Sequence, residues 1–223
     1  MKFTFANAEE GFDNHINNSI RGYSDLIEDV KKLSCYFIQD GLTCVDVGCS
    51  TGKLLLQLHQ NSTYAPEANF IGVEIESAFF DVLDSIEEER LTFFKGDVLK
   101  FEFPQTSLVI SLFTLQFMRE VDRDQIIKKI YNSLAPGGAF IFAEKIVLNA
   151  AKTQDKINSI FYEFKRKSFT GDQILDKERQ LRHMLRPNTR EDLLQRISSA
   201  GFDITKIDSF WQNHMFTAFI VTK

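Results

Sequence analysis

Between Leu42 and Phe142, short apolar runs alternate with segments whose apolar residues recur at helical spacing. The runs predict five strands, over Thr43–Val47, Asn69–Val73, Leu91–Lys95, Ser107–Leu112 and Ala139–Ala143. The periodic segments between them predict helices over Gly52–Gln60, Ser77–Glu87 and Asp122–Ser133. Short strands that alternate with helices indicate βαβ units, and their nearly continuous apolar character indicates a parallel sheet covered on both faces.

The segments that flank this core predict helical additions and a final hairpin. Residues 1–37 form an N-terminal helical cap, in which Ser24–Phe37 has helical spacing, and residues 148–199 form a charged helical cap. Lys206–Phe210 and Met215–Val221 predict two more strands. We therefore expect one α/β domain over residues 1–223. Its sheet would be Rossmann-like, doubly wound, seven-stranded and mostly parallel, with an antiparallel hairpin at the C-terminal end.

Composition narrows the classes of function. The formal net charge of −5 disfavours nucleic acid and anionic membranes as the main ligand. Cys35, Cys44 and Cys49 form no CxxC pair, and no histidine lies at metal-ligand spacing. We therefore expect free thiols in a reducing, cytoplasmic compartment and no metal. Residues 1–10 have the pattern of neither a signal peptide nor a membrane anchor.

The first predicted strand runs into a glycine-containing turn and then a helix, over Val45–Gly52. Gly48 permits a sharp turn and a close approach of the backbone to a ligand. The turn lacks the GxGxxG of a dinucleotide site, which disfavours a dehydrogenase. Asp46 would repel a pyrophosphate, whereas an amino group or a sulfonium suits it better. The alternative is a strand–turn–helix corner that binds no ligand, in which the glycines only allow the backbone to turn.

Acidic residues also follow the next two predicted strands. Glu74 ends the second strand, where an acid can accept hydrogen bonds from both ribose hydroxyls, and Asp97 follows the third, where it can accept one from the adenine amino group. The alternatives are a surface glutamate and a simple Asp turn. A turn over Ala135–Gly138 precedes the fifth strand. Each signal is weak alone, but their common order at the carboxyl ends of the strands indicates a nucleotide-like ligand.

This pattern resembles that of class I S-adenosylmethionine (SAM)-dependent methyltransferases, whose glycine-rich turn usually has a third glycine where this chain has Ser50. Further motifs resemble the carboxy-S-adenosyl-L-methionine (carboxy-SAM) synthase family from about Phe5 to the C-terminus. These motifs are Ser19-Ile20-Arg21-Gly22-Tyr23-Ser24, Gly48-Cys49-Ser50, Phe113-Thr114-Leu115-Gln116-Phe117, Glu144-Lys145, Phe164-Lys165-Arg166 and Ala200-Gly201-Phe202. The phenylalanine-rich run and the Gly-Cys-Ser turn are the most specific of them.

The resemblance implies an unusual reaction. Enzymes of this family place a carboxyl group released from prephenate on the SAM methyl carbon and leave phenylpyruvate. A separate enzyme then uses carboxy-SAM to modify the wobble uridine of tRNA. Family members are homodimers, and residues 148–199 are the expected dimerisation segment. No membrane and no direct nucleic-acid partner are expected.

The resemblance also assigns ligand contacts. Tyr23 would orient the substrate, and the turn of Gly48, Cys49 and Ser50 would hold the amino-acid end of SAM beside Asp46. Other contacts would come from Glu74 and Ile75 at the ribose, from Asp97 and Val98 at the adenine, and from Leu112 beside the sulfonium. Arg179 would bind the new carboxylate, which makes Arg179 and Tyr23 the expected catalytic residues.

Two features of the sequence bear on the substrate. The family has an asparagine where this chain has Leu112, so a polar contact is missing unless Ser111 or Thr114 replaces it. The segment 165–190 has eight basic residues and three acidic ones in a net acidic chain, which favours a cationic cap for a dicarboxylate. The alternative is a solvated helix face.

Cys49 follows the strand close to a helix N-terminus, and we interpret it as a packing residue.

Two rival functions remain open. An ordinary SAM methyltransferase could act on a small acid or on RNA, and Leu112 supports it. A non-enzymatic SAM-binding module would have a degraded ligand site, whereas Asp46, Gly48, Glu74 and Asp97 are all present. The four histidines are scattered along the chain and supply no dedicated base.

Overall fold

A computed structural model describes residues 11–223. Eight helices follow one another along these residues: α1 Phe12–Ser19, α2 Tyr23–Ser34, α3 Lys53–Asn61, α4 Phe80–Asp84, α5 Glu120–Ser133, α6 Ala151–Lys165, α7 Gly171–Arg182 and α8 Arg190–Ala200. The strands are β1 Thr43–Val47, β2 Asn69–Glu74, β3 Leu91–Lys95, β4 Thr106–Leu112, β5 Leu134–Val147, β6 Asn188–Thr189, β7 Ile207–Asn213 and β8 Phe216–Thr222. The predictions made for residues 1–10 lie outside the described residues.

The main sheet has the order β3-β2-β1-β4-β5-β8-β7. The first five strands in this order are parallel, and β8 pairs antiparallel with both β5 and β7. This topology confirms the predicted mostly parallel sheet with its antiparallel hairpin. The strand order reverses between β1 and β4, and ligands of open α/β sheets bind outside the carboxyl ends of the strands at such a reversal.

Two apolar layers cover the sheet. One is built on α2 and α3, which bury Leu26, Val30, Leu55 and Leu58. The other is built on α5 and α8, which bury a set of isoleucines and Leu193. All five residues of β1 are buried, as expected for a strand covered on both faces. No helix among residues 11–223 has the length and apolar character needed to cross a membrane.

Two predicted elements need correction, and one short strand was not predicted. The helix predicted over Ser77–Glu87 is a 3-10 turn followed by the five-residue α4. The Ser85 hydroxyl donates to the Val82 carbonyl at 2.6 Å, where it competes with helix continuation. The predicted turn over Ala135–Gly138 lies inside the longer strand β5, as a register shift against β4. The short β6, which pairs with the end of β5, has no apolar run that would predict it.

Candidate functional site

The turn after β1 is fixed to the end of β2. The backbone N–H groups of Gly48 and Cys49 both donate to the Val73 carbonyl, at 2.8 and 3.2 Å. Gly48 has a φ of +79°, and a Cβ at this position would overlap the Thr114 side chain. Ser50 has a φ of +51°, a left-handed conformation that glycine adopts more easily. The structure therefore confirms the prediction that this turn needs the left-handed backbone conformation that glycine adopts.

Glu74 closes the same turn from β2. Its two carboxylate oxygens accept hydrogen bonds from the N–H groups of Ser50 at 2.8 Å, Ile75 at 2.9 Å and Glu76 at 2.8 Å. Burial raises the pKa of Glu74, although these three donors act in the opposite direction. A carboxylate has about four acceptor positions, so with three of them occupied Glu74 retains about one for a ribose hydroxyl.

Asp46 lies one strand away and is only 4% exposed. Burial, and then the neighbouring Glu74, raise its pKa to about 7. A buried acid beside another acid favours a cationic ligand, because a positive charge would offset both desolvation and the repulsion between the two carboxylates. The amino group and sulfonium of SAM meet this requirement, so the residues present fit SAM.

The residues predicted to contact the adenine also line this part of the sheet edge. Asp97 begins a 3-10 turn, and its Oδ1 accepts the Leu99 N–H at 2.9 Å, so the Asp turn considered from the sequence is present. Asp97 nevertheless lines the same cavity as Asp46 and Glu74, together with Val98 and Ile75. The Ile75 side chain is 66% exposed, which leaves apolar surface available to a flat ring.

These residues share one cavity of about 1210 Å³ at the carboxyl edge of the sheet. Tyr23, Cys49, Ser50 and Leu112 also line it. Pockets for a single drug-sized ligand measure roughly 300–1,000 Å³. The cavity therefore has room for SAM and a second small molecule. Among residues 11–223, no cluster of three or more metal-ligating side chains occurs.

Aromatic side chains form one wall of this cavity. Tyr23 packs against Phe113 with ring centroids 6.2 Å apart, and Phe113 meets Phe216 edge-on at 5.7 Å. Burial, followed by the charges of Asp13 and Asp46, raises the pKa of the Tyr23 phenol, which stays protonated and can donate a hydrogen bond. Phe113 has a φ of +57°, a strained conformation for a bulky residue.

Leu112 lies beside this wall, where the resembling family has asparagine. Of its two possible polar substitutes, Ser111 is fully buried and outside the cavity lining. Thr114 does line the cavity, and its hydroxyl donates to the Leu112 carbonyl at 3.2 Å. Thr114 is therefore the residue that could supply a polar contact.

Cys49 packs with Phe79 and Leu83. Burial raises the pKa of its thiol, and the charges of Asp46 and Glu74 raise it further. The thiolate is disfavoured, which agrees with the packing role inferred from the sequence.

Arg179 does not reach the cavity in this structure. Its side chain is 76% exposed and pairs with Asp176 at 3.2 Å on the outer face of α7. Lys177, Glu178 and Leu181 on the same helix do line the cavity. Adjacent helical residues point about 100° apart, so Arg179 and the cavity-lining Glu178 point in different directions. The predicted contact of Arg179 with a carboxylate stays a prediction.

The cationic cap predicted for segment 165–190 is partly present. Lys165 and Lys177 line the cavity, and Lys145 from β5 joins them. Arg166, Lys167 and Arg182 are exposed, as the solvated-face alternative expects. The sequence indicated the charge excess of this segment but not which of its residues face inward.

The comparisons with known proteins agree with this geometry. Residues 44–138 match a family model described as a methyltransferase domain. Human N-acetylserotonin methyltransferase in complex with SAM aligns with a TM-score of 0.55 and 18% identity, over 97% of this chain and 59% of that longer one. An O-methyltransferase family protein from Burkholderia thailandensis aligns with a TM-score of 0.64 and 14% identity, over 100% of this chain and 64% of that one. These two likenesses bear on the fold alone.

The chain thus has the class I SAM-dependent methyltransferase-like fold and is a SAM-utilising transferase. Its sequence is similar to the carboxy-S-adenosyl-L-methionine synthase of Staphylococcus epidermidis, at 28% identity over 95% of this chain and 92% of that protein. The synthase of Campylobacter lari is also 28% identical, over 98% of this chain and 93% of that protein. The synthase of Nitratiruptor sp. is 29% identical, over 95% and 89%.

Proposed function

We propose that this protein is a carboxy-SAM synthase that uses SAM and prephenate and releases phenylpyruvate. The similarity to synthases over nearly the whole chain carries this proposal. A cavity large enough for two molecules supports it. In the reaction, the ring carboxyl and the ring hydroxyl of prephenate depart as the ring becomes aromatic. The carboxyl group replaces a proton on the SAM methyl carbon, and that proton and the hydroxide leave as water.

The residues of this chain bind and orient both substrates. Asp46 and the turn over Gly48–Ser50 hold the amino-acid end of SAM, and Glu74 accepts a hydrogen bond from a ribose hydroxyl. The protonated Tyr23 donates a hydrogen bond that orients the second substrate. Among the cavity residues of segment 11–223 we assign no general base, because the departing hydroxide can accept the proton.

The further properties implied by the family belong to the same proposal. We propose a single domain over residues 1–223 that forms a cytoplasmic homodimer through segment 148–199 and supplies a separate tRNA wobble-uridine modifying enzyme. The position of α7 along the cavity supports the cap role of that segment.

A second candidate is an ordinary methyltransferase for a small acid or for RNA. Two observations favour it: Leu112 replaces the family asparagine, and Arg179 faces solvent.

Mass spectrometry separates the two candidates. The purified protein is incubated with SAM and prephenate and then denatured, and the released small molecules are analysed. A species heavier than SAM by one CO2 unit supports the synthase. SAM alone, with none of the heavier species, contradicts it and favours the methyltransferase.

A further inference from the structure

Phe113 has a backbone conformation that a bulky residue rarely adopts. Its φ of +57° lies in the left-handed region, which glycine enters far more easily. Its ring lines the cavity and is in contact with Tyr23 and Phe216. Glycine at this position would relieve the strain but would remove the ring. Strain of this kind persists only where the surrounding structure holds the residue in place, so Phe113 needs neighbours that fix it.

Gln116 supplies one of the contacts that fix Phe113. The Gln116 Nε2 donates to the Phe113 carbonyl at 3.1 Å, and the Gln116 Oε1 accepts the Lys145 backbone N–H at 2.9 Å. The Phe113 N–H donates to the Ala143 carbonyl at 2.7 Å. The two peptide groups on either side of the Phe113 Cα are therefore both tied to β5, one directly and the other through the Gln116 side chain.

This bridge requires an amide side chain. The Phe113 carbonyl can only accept a hydrogen bond and the Lys145 N–H can only donate one, so the group between them needs one donor and one acceptor. Gln116 is 5% exposed, and an apolar side chain in its place would leave both peptide groups without this partner. Gln116 also lines the cavity, but both ends of its amide are bonded to the backbone, which favours a positioning role over direct contact with a ligand.

The rest of the turn after β4 is held by contacts that do not involve the Gln116 side chain. The Arg123 Nε donates to the Leu115 carbonyl at 3.0 Å, and the Arg186 backbone N–H donates to the Gln116 carbonyl at 2.7 Å. A change in the Gln116 side chain should therefore act on Phe113 and leave the path of the following residues unchanged.

We propose that Gln116 is a positioning residue that holds Phe113 in its left-handed conformation and so places the aromatic wall that receives the carbon ring of the second substrate. Tyr23, Phe113 and Phe216 present mainly apolar ring surface along this wall, which suits a ligand with an apolar ring. The choice of prephenate as that ligand rests on the proposed function, whereas the action of Gln116 on Phe113 does not.

Gln116→Met removes both side-chain hydrogen bonds and keeps a long unbranched side chain. A crystal structure of the variant should show Phe113 outside the left-handed region, with its ring moved from Tyr23. Isothermal titration should show about tenfold weaker binding of phenylpyruvate and of prephenate to protein saturated with S-adenosylhomocysteine, because fewer molecules have the wall in place. Binding of S-adenosylhomocysteine itself should change less than about twofold. Phe113 in its original conformation in the variant would overturn the proposal.

Thr106→Val is the matched control at the opposite end of β4. The Thr106 Oγ1 lies 3.0 Å from the Ser133 Oγ, and Thr106 is fully buried, so the variant also removes a buried side-chain hydrogen bond. It should lower the free energy of unfolding but leave binding of both acids unchanged. Equally weakened acid binding in Thr106→Val would assign the effect of Gln116→Met to a general loss of stability.

A double-mutant cycle with Phe113→Ala tests whether Gln116 acts through the ring. Phe113→Ala alone should weaken binding of phenylpyruvate. In that background Gln116→Met should weaken binding by less than about a further twofold, because no ring remains to be placed. A further tenfold loss in the double variant would show that Gln116 contacts the ligand itself and would overturn the positioning role.

Gln116→Glu is a second variant with the shape of glutamine and the acceptor for Lys145. Its ionised form cannot donate to the Phe113 carbonyl, whereas its protonated form can. Relative to the unmodified protein, its affinity for phenylpyruvate should fall as the pH rises from 6 to 9. The neighbouring charged groups of Arg123, Glu144 and Lys145 are present in both proteins, so the ratio of the two affinities isolates residue 116. Binding that is weaker by the same factor at every pH would overturn the assignment.

The outcomes distinguish the positioning role from the proposed function. Displacement of Phe113 and weaker binding of phenylpyruvate in Gln116→Met sustain the role even if the unmodified protein forms no carboxy-SAM. Unchanged acid binding in Gln116→Met, with carboxy-SAM still formed, overturns the role and leaves the synthase proposal intact. Failure of the unmodified protein to bind either acid overturns both the wall as a site for a ring acid and the choice of prephenate.

Discussion

Gly48 shows how the backbone geometry of one residue shapes the turn that lines the cavity. Its φ of +79° disfavours any side chain, and a Cβ there would overlap Thr114 at the end of β4. The sequence pattern predicted a need for glycine at this turn. It could not identify Thr114 as the neighbour, because that contact depends on how β1 and β4 pair.

We predict that Gly48→Ala abolishes SAM binding and destabilises the protein. Gly41→Ala is the matched control, since Gly41 has a similar φ of +73° but no atom within 4 Å of an added Cβ. Gly41→Ala should cost about 1–2 kcal/mol of unfolding free energy through left-handed strain alone, with SAM affinity unchanged. Urea unfolding and titration calorimetry would measure both. Equal SAM affinity in the two variants would show that the overlap with Thr114 does not matter.

Asp46 provides a prediction about pH. Its pKa of about 7 means that it gains a proton as the pH falls below neutrality, and a protonated acid no longer attracts a cationic ligand. Affinity for SAM should therefore rise between pH 6 and 8, and Glu74, whose pKa is also raised, acts in the same direction. Calorimetric titration of SAM across this range would measure the change.

Asp46→Asn tests the origin of this pH dependence. The variant should bind SAM at least about tenfold more weakly at pH 8, since it loses a charged partner. It should also show a flatter pH profile than the unmodified protein. Asp155→Asn, on the exposed surface of α6, is the control that should retain the original profile. An unchanged profile in Asp46→Asn would assign the titration to another group.

At the scale of elements, Arg123 joins several segments around the cavity. It is 1% exposed, and its guanidinium donates to the carbonyls of Leu115 at 3.0 Å and Arg186 at 2.8 Å. It also donates to the Asn188 side chain of β6. Glu144, which is buried nearby, has a pKa raised by burial to about 8, and the charge of Arg123 opposes that rise. One α5 side chain thus fixes the turn after β4, the segment after α7 and β6.

We predict that Arg123→Met destabilises the protein by about 3–5 kcal/mol, because removing one member of a buried charged network leaves its partners unsatisfied. Urea unfolding would measure the loss. Arg119→Met, which removes an exposed arginine paired with Asp122, should leave the free energy of unfolding nearly unchanged. A similar small cost for both variants would contradict the anchoring role of Arg123.

Helix α7 shows where sequence patterns lose resolution. Its sequence contains three basic and three acidic residues, and only the packing of the helix determines which of them face inward. Glu178 and Lys177 line the cavity, whereas Arg179 pairs with Asp176 in solvent. Strands β1 and β3 have the predicted limits. For β1 the reason is its burial over all five residues, because a strand buried on both faces has an apolar run with clear ends.

At the scale of the whole molecule, the order of the strands in the sheet determines where the cavity lies. The residues predicted to contact SAM come from segments far apart in sequence, and the reversal of strand order between β1 and β4 brings them to one edge of the sheet. The order of strands and acidic residues along the sequence was sufficient to predict that these residues lie at the carboxyl edge of the sheet. The short β6 was not predictable, and neither was which basic residues of segment 165–190 face the cavity, since both depend on long-range packing of segment 148–199.

Isotope tracing tests the proposed reaction most directly. The protein would be incubated with SAM and with prephenate that is labelled with carbon-13 in its ring carboxyl group, and the products would be resolved by mass spectrometry. The proposed function predicts a SAM-derived species that is heavier by one labelled CO2 unit, together with unlabelled phenylpyruvate. A heavier species without the label, or SAM recovered unchanged beside intact prephenate, would contradict it.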